Sequence, residues 1–143
     1  MTSLVNPNRL ILLLLLLVSS LSACKKNNDV TALDAAASVA GRYTFSELSY
    51  GGRVVSAADS DLRGTITLTR QSASSVDMVI DLRIKSTNDE FVVQTVNGVQ
   101  LATQGELTTL RYQGDQLAQI KGNKLTIEGD DADGVPFAVT ATK

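Results

Sequence analysis

From Gly41 onward the chain alternates apolar and polar residues with a period of two. The clearest run is Ser75 to Lys85, with Val76, Met78, Ile80, Leu82 and Ile84 on one face. Asp77, Asp81, Arg83 and Lys85 fall on the other, and only Val79 breaks that outer face. Successive side chains of an extended strand point to opposite sides, so this pattern predicts a half-buried antiparallel strand. Tyr43, Phe45 and Glu47 are expected to share a face of the first strand, and Ile66 and Leu68 alternate with Thr65, Thr67 and Thr69. Phe91 to Val96 is apolar on both faces. Leu107–Tyr112, Gln116–Ile120, Lys124–Glu128 and Val135–Thr142 complete the series.

The strand-like runs are separated by Gly51-Gly52, Asn97-Gly98, Gly114-Asp115, Gly122-Asn123 and Asp133-Gly134. Such pairs accept the positive φ that tight hairpins need. Pro136 falls at the start of the last run, where a missing N–H is tolerated. The expectation is an all-β antiparallel meander of about eight strands, closed as a barrel or stacked as a sandwich. A barrel leaves no strand edge exposed. Upstream, Thr31 followed three residues later by Asp34 reads as a capping box, and Ala35-Ala36-Ala37 and Gly41 frame a short helix over about 32–39. An Ala-rich extension without helix is the alternative.

The first 23 residues follow other rules. Met1–Arg9 is polar with one cation, Leu10–Val18 is unbroken apolar, and Ser19–Ala23 is rich in small residues, the order of a secretory signal peptide. Nine helical residues reach only ~14 Å, whereas a bilayer core needs about 30 Å, so a membrane span is disfavoured. Leu21-Ser22-Ala23-Cys24 resembles the bacterial lipobox. The resemblance implies a diacylglyceryl thioether on Cys24, cleavage between Ala23 and Cys24, and an acyl group such as palmitate on the new amino terminus. Two or more acyl chains anchor stably where one does not. In lipoproteins of enteric-type bacteria an Asp directly after this Cys favours retention in the inner membrane. Lys25 stands there, which points to the outer membrane, facing the periplasm. The domain reading is a signal peptide over 1–23, a lipidated tether and short helix over 24–40, and a β domain over 41–143.

Composition then narrows the chemistry. The chain has no His, no Trp and one Cys, so no disulfide, Cys/His zinc site or His-dependent triad can be built. No basic patch marks a nucleic-acid partner, and no G-x-S-x-G, P-loop or G-x-G-x-x-G occurs. Asp77 and Asp81 lie opposite the apolar face and read as solvated charges. In Gly129-Asp130-Asp131-Ala132-Asp133-Gly134, Asp131 and Asp133 match an EF-hand calcium loop, but Gly129 and Thr140 occupy two of its ligand positions, so a hairpin tip is expected. Neither an enzyme, a cofactor nor a metal is expected.

A short helix, then Gly41-Arg42-Tyr43, then a meander of hairpins, resembles the lipocalin or wider calycin pattern. In that family a G-x-W on the first strand and an arginine close one end of the barrel. Here Tyr43 takes the aromatic position, and no counterpart of the arginine is evident. The resemblance implies a barrel whose apolar face either lines a cavity for a small apolar ligand or fills the interior. Tyr43, Phe45, Met78, Ile80, Phe91 and Phe137 are the candidate ligand-binding residues. The alternative is a packed β domain acting as a structural or interaction lipoprotein.

Overall fold

A computed structural model describes residues 34–143. The signal peptide, Ala23, Cys24, the tether and the Thr31 end of the capping box lie outside them. Helix α1 spans Ala35–Val39. Its cap is Asp34, whose carboxylate accepts the Ala37 N–H at 2.8 Å. A short side-chain acceptor satisfies a first-turn amide that has no intrahelical partner.

Nine strands follow: β1 Gly41–Tyr50, β2 Arg53–Ser56, β3 Leu62–Arg70, β4 Ser75–Ile84, β5 Glu90–Gln104, β6 Leu107–Tyr112, β7 Asp115–Lys121, β8 Lys124–Asp130 and β9 Pro136–Thr142. Each pairs antiparallel with its neighbour in the sheet, and β1 pairs with β9, so eight strands close a barrel. A sandwich is excluded by that closure. The extra strand, β2, folds back on the far half of β1 through the Gly51-Gly52 turn.

The alternation expected for β4 is what the barrel buries. Val76, Met78, Ile80 and Leu82 are inside, and they meet Tyr43, Phe45, Ile66, Leu68, Leu110, Ile120, Leu125 and Ala141 from the other strands. Full burial of such a side chain contributes about 1.5–3 kcal/mol before entropic costs.

Several bulges and turns depart from simple alternation. In β1, Phe45 pairs with Ala141 but Glu47 pairs with Thr140, which leaves Ser46 as an extra residue. The inward set is therefore Tyr43, Phe45, Leu48 and Tyr50, and Glu47 does not share the face of Phe45. In β5, Val76 pairs with Val99 and Met78 with Val96. Asn97-Gly98 is thus a bulge inside a long strand, not a hairpin. Gly98 has φ +71°, and its N–H donates to the Asp77 carboxylate at 3.0 Å. A bulge and a hairpin both call for positive φ, so residue chemistry alone does not separate them. The hairpin lies at Gly105-Glu106, between paired Gln104 and Leu107. The β6–β7 turn is Gln113-Gly114, one residue earlier than expected, with both φ positive.

Gly64 stands at a close approach. Its φ is +151°, and a Cβ there would lie 2.0 Å from the Asp81 carbonyl oxygen and 2.8 Å from Leu82 Cα. Glycine lets β3 and β4 coil tightly enough to close the wall.

One end of the barrel is stopped by α1. Ala36 and Val39 are buried, and the Ala36 N–H donates to the Ala73 carbonyl at 3.1 Å. The wholly buried Tyr43 donates its hydroxyl to the Val39 carbonyl at 2.8 Å. Lys143 Nζ lies 5.1 Å from the Tyr43 ring centroid and donates to the Ala40 carbonyl at 2.8 Å. A lysine cation thus lies over the aromatic ring that closes this end.

Candidate functional site

Among the described residues no helix covers the other end. Beyond the Ser46 bulge, β1 turns Leu48 and Tyr50 inward, where they pair with Val139 and Phe137 of β9. Phe137 lies across from Gly129 of β8, whose missing side chain leaves room for the ring: a Cβ there would sit 3.1 Å from it. From β5, Phe91 and Val92 complete the rim. Leu82 pairs with Val92 and Arg83 with Glu90, so Phe91 is the extra residue of a second β5 bulge.

These side chains line a half-open pocket of about 250 Å³ bounded by Leu48, Tyr50, Phe91, Val92, Asp131, Phe137 and Val139. A dry cavity of roughly 150 Å³ holds benzene, so this volume suits one or two fused rings or a short aliphatic segment. Larger depressions lie elsewhere, one of about 510 Å³ on the outer surface at Glu128–Asp130 and Pro136–Ala138, and one of about 570 Å³ beside α1 that reaches Val39, Thr108 and Ile120.

The polar pair at the rim, Tyr50 and Asp131, is used internally. Tyr50 donates its hydroxyl to Asp131 Oδ2 at 2.5 Å, while Asp131 Oδ1 accepts the N–H groups of Asp133 and Val135 at 2.9 and 2.8 Å. The acidic turn is thus organised around Asp131 by its own backbone. No group of three or more His, Cys, Asp or Glu side chains is placed to hold a metal ion among the described residues. The Tyr50 hydrogen bond, then the Val135 N–H, hold the Asp131 carboxyl below its ordinary range, and the same carboxylate raises the Tyr50 phenol. The Asp131 contribution to stability is therefore present above the unfolded carboxylate range and lost as pH falls through the lowered value. The Tyr50 contribution is present below about pH 10 and lost as pH rises through the raised value. Asp131→Asn is expected to bring one of the three tyrosines down toward its ordinary titration, read as tyrosinate absorbance against pH. An unchanged curve would show that the rim pair does not form.

Tyr43, Phe45, Met78 and Ile80 lie in the packed centre and toward the helix end. Phe91 and Phe137 line the cavity. Leu48, Tyr50, Val92, Asp131 and Val139 join them without having been singled out by pattern. Asp77 is engaged by Gly98 and by the Gln71 side chain, and Asp81 holds Arg83 at 2.8 Å.

No protein-family model and no curated protein matches the chain. Among solved structures it is similar to a Bacteroides fragilis protein provisionally assigned to the outer membrane, with a TM-score of 0.51 and 13% identity over 78% of this chain. The match spans 53% of that protein's length. It is also similar to a redesigned β-barrel, with a TM-score of 0.50 and 15% identity over 77% of this chain and 95% of that one. At these identities the likeness is one of fold: a small antiparallel β-barrel.

Proposed function

We propose that the protein is an envelope lipoprotein, anchored through Cys24 at the outer membrane and facing the periplasm, whose barrel mouth holds a small apolar ligand. The observation that carries the ligand reading is the half-open pocket at the mouth, walled by Leu48, Phe91, Val92, Phe137 and Val139. Pockets for drug-sized ligands run about 300–1,000 Å³, so this one takes a smaller molecule or one apolar end of a larger molecule. The packed centre supports a ligand at the rim, in place of the deep calyx that the calycin resemblance implies. The Leu21-Ser22-Ala23-Cys24 motif supports the anchor.

Two measurements test the two halves. Native mass spectrometry with organic extraction is expected to recover a small apolar molecule from the processed protein. Val92→Trp, at a position 37% exposed and facing the cavity, is expected to lower its occupancy at least tenfold without unfolding the barrel. Equal occupancy in the variant sinks the mouth as its site. Cys24→Ser is expected to abolish acyl labelling and processing; a normally processed, membrane-bound variant sinks the anchor.

A further inference from the structure

The outer wall over β1, β3 and β4 gathers three arginines around one open depression of about 330 Å³. Arg42 comes from β1, Arg63 from β3 and Arg83 from β4, and Gly64, Thr65 and Asp81 complete the lining. They lie far apart along the chain, so they form no basic run in the sequence. The register brings them together. Arg63 and Arg83 are direct cross-strand partners, and Thr65 pairs with Asp81 on one side and with Thr44 on the other. Neighbouring strands run about 4.8 Å apart, a spacing that arginine side chains bridge easily. Like charges placed directly opposite destabilise a sheet. The Arg63–Arg83 pair is therefore a cost to the fold unless negative charge offsets it.

The wall offsets it only in part. Arg83 donates Nε–H to Asp81 Oδ1 at 2.8 Å and lies 3.6 Å from Glu90, whose side chain is 65% exposed. Arg63 donates to Asn88 Oδ1, a neutral acceptor. Among the described residues neither Arg42 nor Arg63 has an ion-pair partner. Three arginines against Asp81 leave two positive charges in the lining, and Glu90 offsets at most one of them. The chain as a whole is acidic, with a net charge of −2, so this gathering of cations runs against its composition.

We infer that the Arg42–Arg63–Arg83 depression binds a phosphoryl group, either inorganic phosphate or the phosphate monoester of a lipid headgroup. Each guanidinium offers several N–H donors in a planar fork, and most of those on Arg42 and Arg63 are unspent. Forks arriving from three strands match an anion with three acceptor oxygens better than a carboxylate, which has two. A monoester carries a charge of about −1.5 to −2, which suits the uncompensated charge of the lining. The exposed hydroxyl side of β3 at Thr65 adds a neutral partner between the arginines. This site lies on the outer wall, goes beyond the mouth reading and does not depend on its ligand.

The test follows the arginine Nε–Hε resonances of the processed protein in phosphatidylcholine nanodiscs as inorganic phosphate is added. Saturable shifts are expected at Arg42, Arg63 and Arg83, and none with chloride at equal ionic strength. Arg42→Gln and Arg63→Gln are each expected to weaken binding about tenfold, the loss of one hydrogen bond to a charged group. Asp81→Asn keeps the acceptor for Arg83 and removes the like charge from the lining, so it is expected to tighten binding severalfold, a gain that misfolding cannot produce. Arg111→Gln, on β6, is expected to change nothing. Nanodiscs containing phosphatidic acid separate the sources. Shifts at the same arginines without added phosphate assign the site to a lipid headgroup, and shifts only with added phosphate assign it to the soluble ion. Four results overturn the inference: shifts that never saturate, equal shifts with chloride, binding unchanged by both Gln variants, or no gain in Asp81→Asn. Val92→Trp is expected to leave phosphate binding intact, so the wall and the mouth can fail separately.

Discussion

Gly64→Ala is expected to lose about 3–5 kcal/mol of stability, the range of a substitution that forces backbone apart in a packed element. The reason is steric. A methyl group at Gly64 would overlap the Asp81 carbonyl oxygen at 2.0 Å and crowd Leu82 Cα and the Asp81 carbonyl carbon at 2.8 and 2.9 Å. All three are backbone atoms of the neighbouring strand, so no rotamer change relieves the contact. The positive φ adds strain for any L side chain. Separating β3 from β4 also moves Ile66, Leu68, Ile80 and Leu82 away from their partners. Urea unfolding measures the loss. Gly134→Ala is the informative control, since nothing lies within 4 Å of its added Cβ, although its φ of +76° is equally unfavourable. A Gly64→Ala variant as stable as Gly134→Ala would show that the close approach does not exist.

Tyr43→Ala is expected to cost about 3–5 kcal/mol, as for other large-to-small changes in a closed core. Tyr43 has no exposed surface, carries the hydrogen bond that holds the end of α1, and lies under the Lys143 ammonium. The effect should be lopsided. Amides of Ala36, Ser38 and Ala40 should exchange faster, because their packing partner is gone, while the turn around Asp131 at the other end keeps its protection. Tyr43→Phe separates packing from hydrogen bonding. It keeps the ring and removes one buried donor, leaving the Val39 carbonyl to find another, for about 1 kcal/mol. Equal losses in the two variants would assign the whole effect to the hydroxyl. Equal exchange at both ends would mean that α1 does not depend on Tyr43.

The strand series was legible in the sequence because burial on one face of a sheet writes itself as a period of two. The β4 run needed only reading. The short helix was visible from its Ala run and Gly41, and Asp34 was noticed, although as the partner of Thr31 and not as the cap itself. What defeated the period was the bulge. One extra residue shifts every later side chain to the opposite face, so Ser46 moved Leu48 and Tyr50 inward and Glu47 off that face. The same device at Asn97-Gly98 carries the expected Phe91–Val96 strand on to Gln104 without a hairpin. Most of the cavity depends on these shifts and on Asp131, a turn residue whose role is set by a hydroxyl 81 positions away. Phe91 and Phe137 were accessible because large aromatic residues are few, not because their partners could be read.

The contact that closes the wall joins β1 to β9, the first and last strands of the barrel. Thr44 meets Thr142 and Tyr50 meets Phe137, so the seam links residues separated by about 90–100 positions. Closing so long a loop must come before any of its contacts can repay the lost chain entropy, which slows folding. Until β9 arrives, β1 and β8 both present open edges and the interior has no lid. The seam, not any single hairpin, therefore sets the time at which this barrel ceases to be sticky.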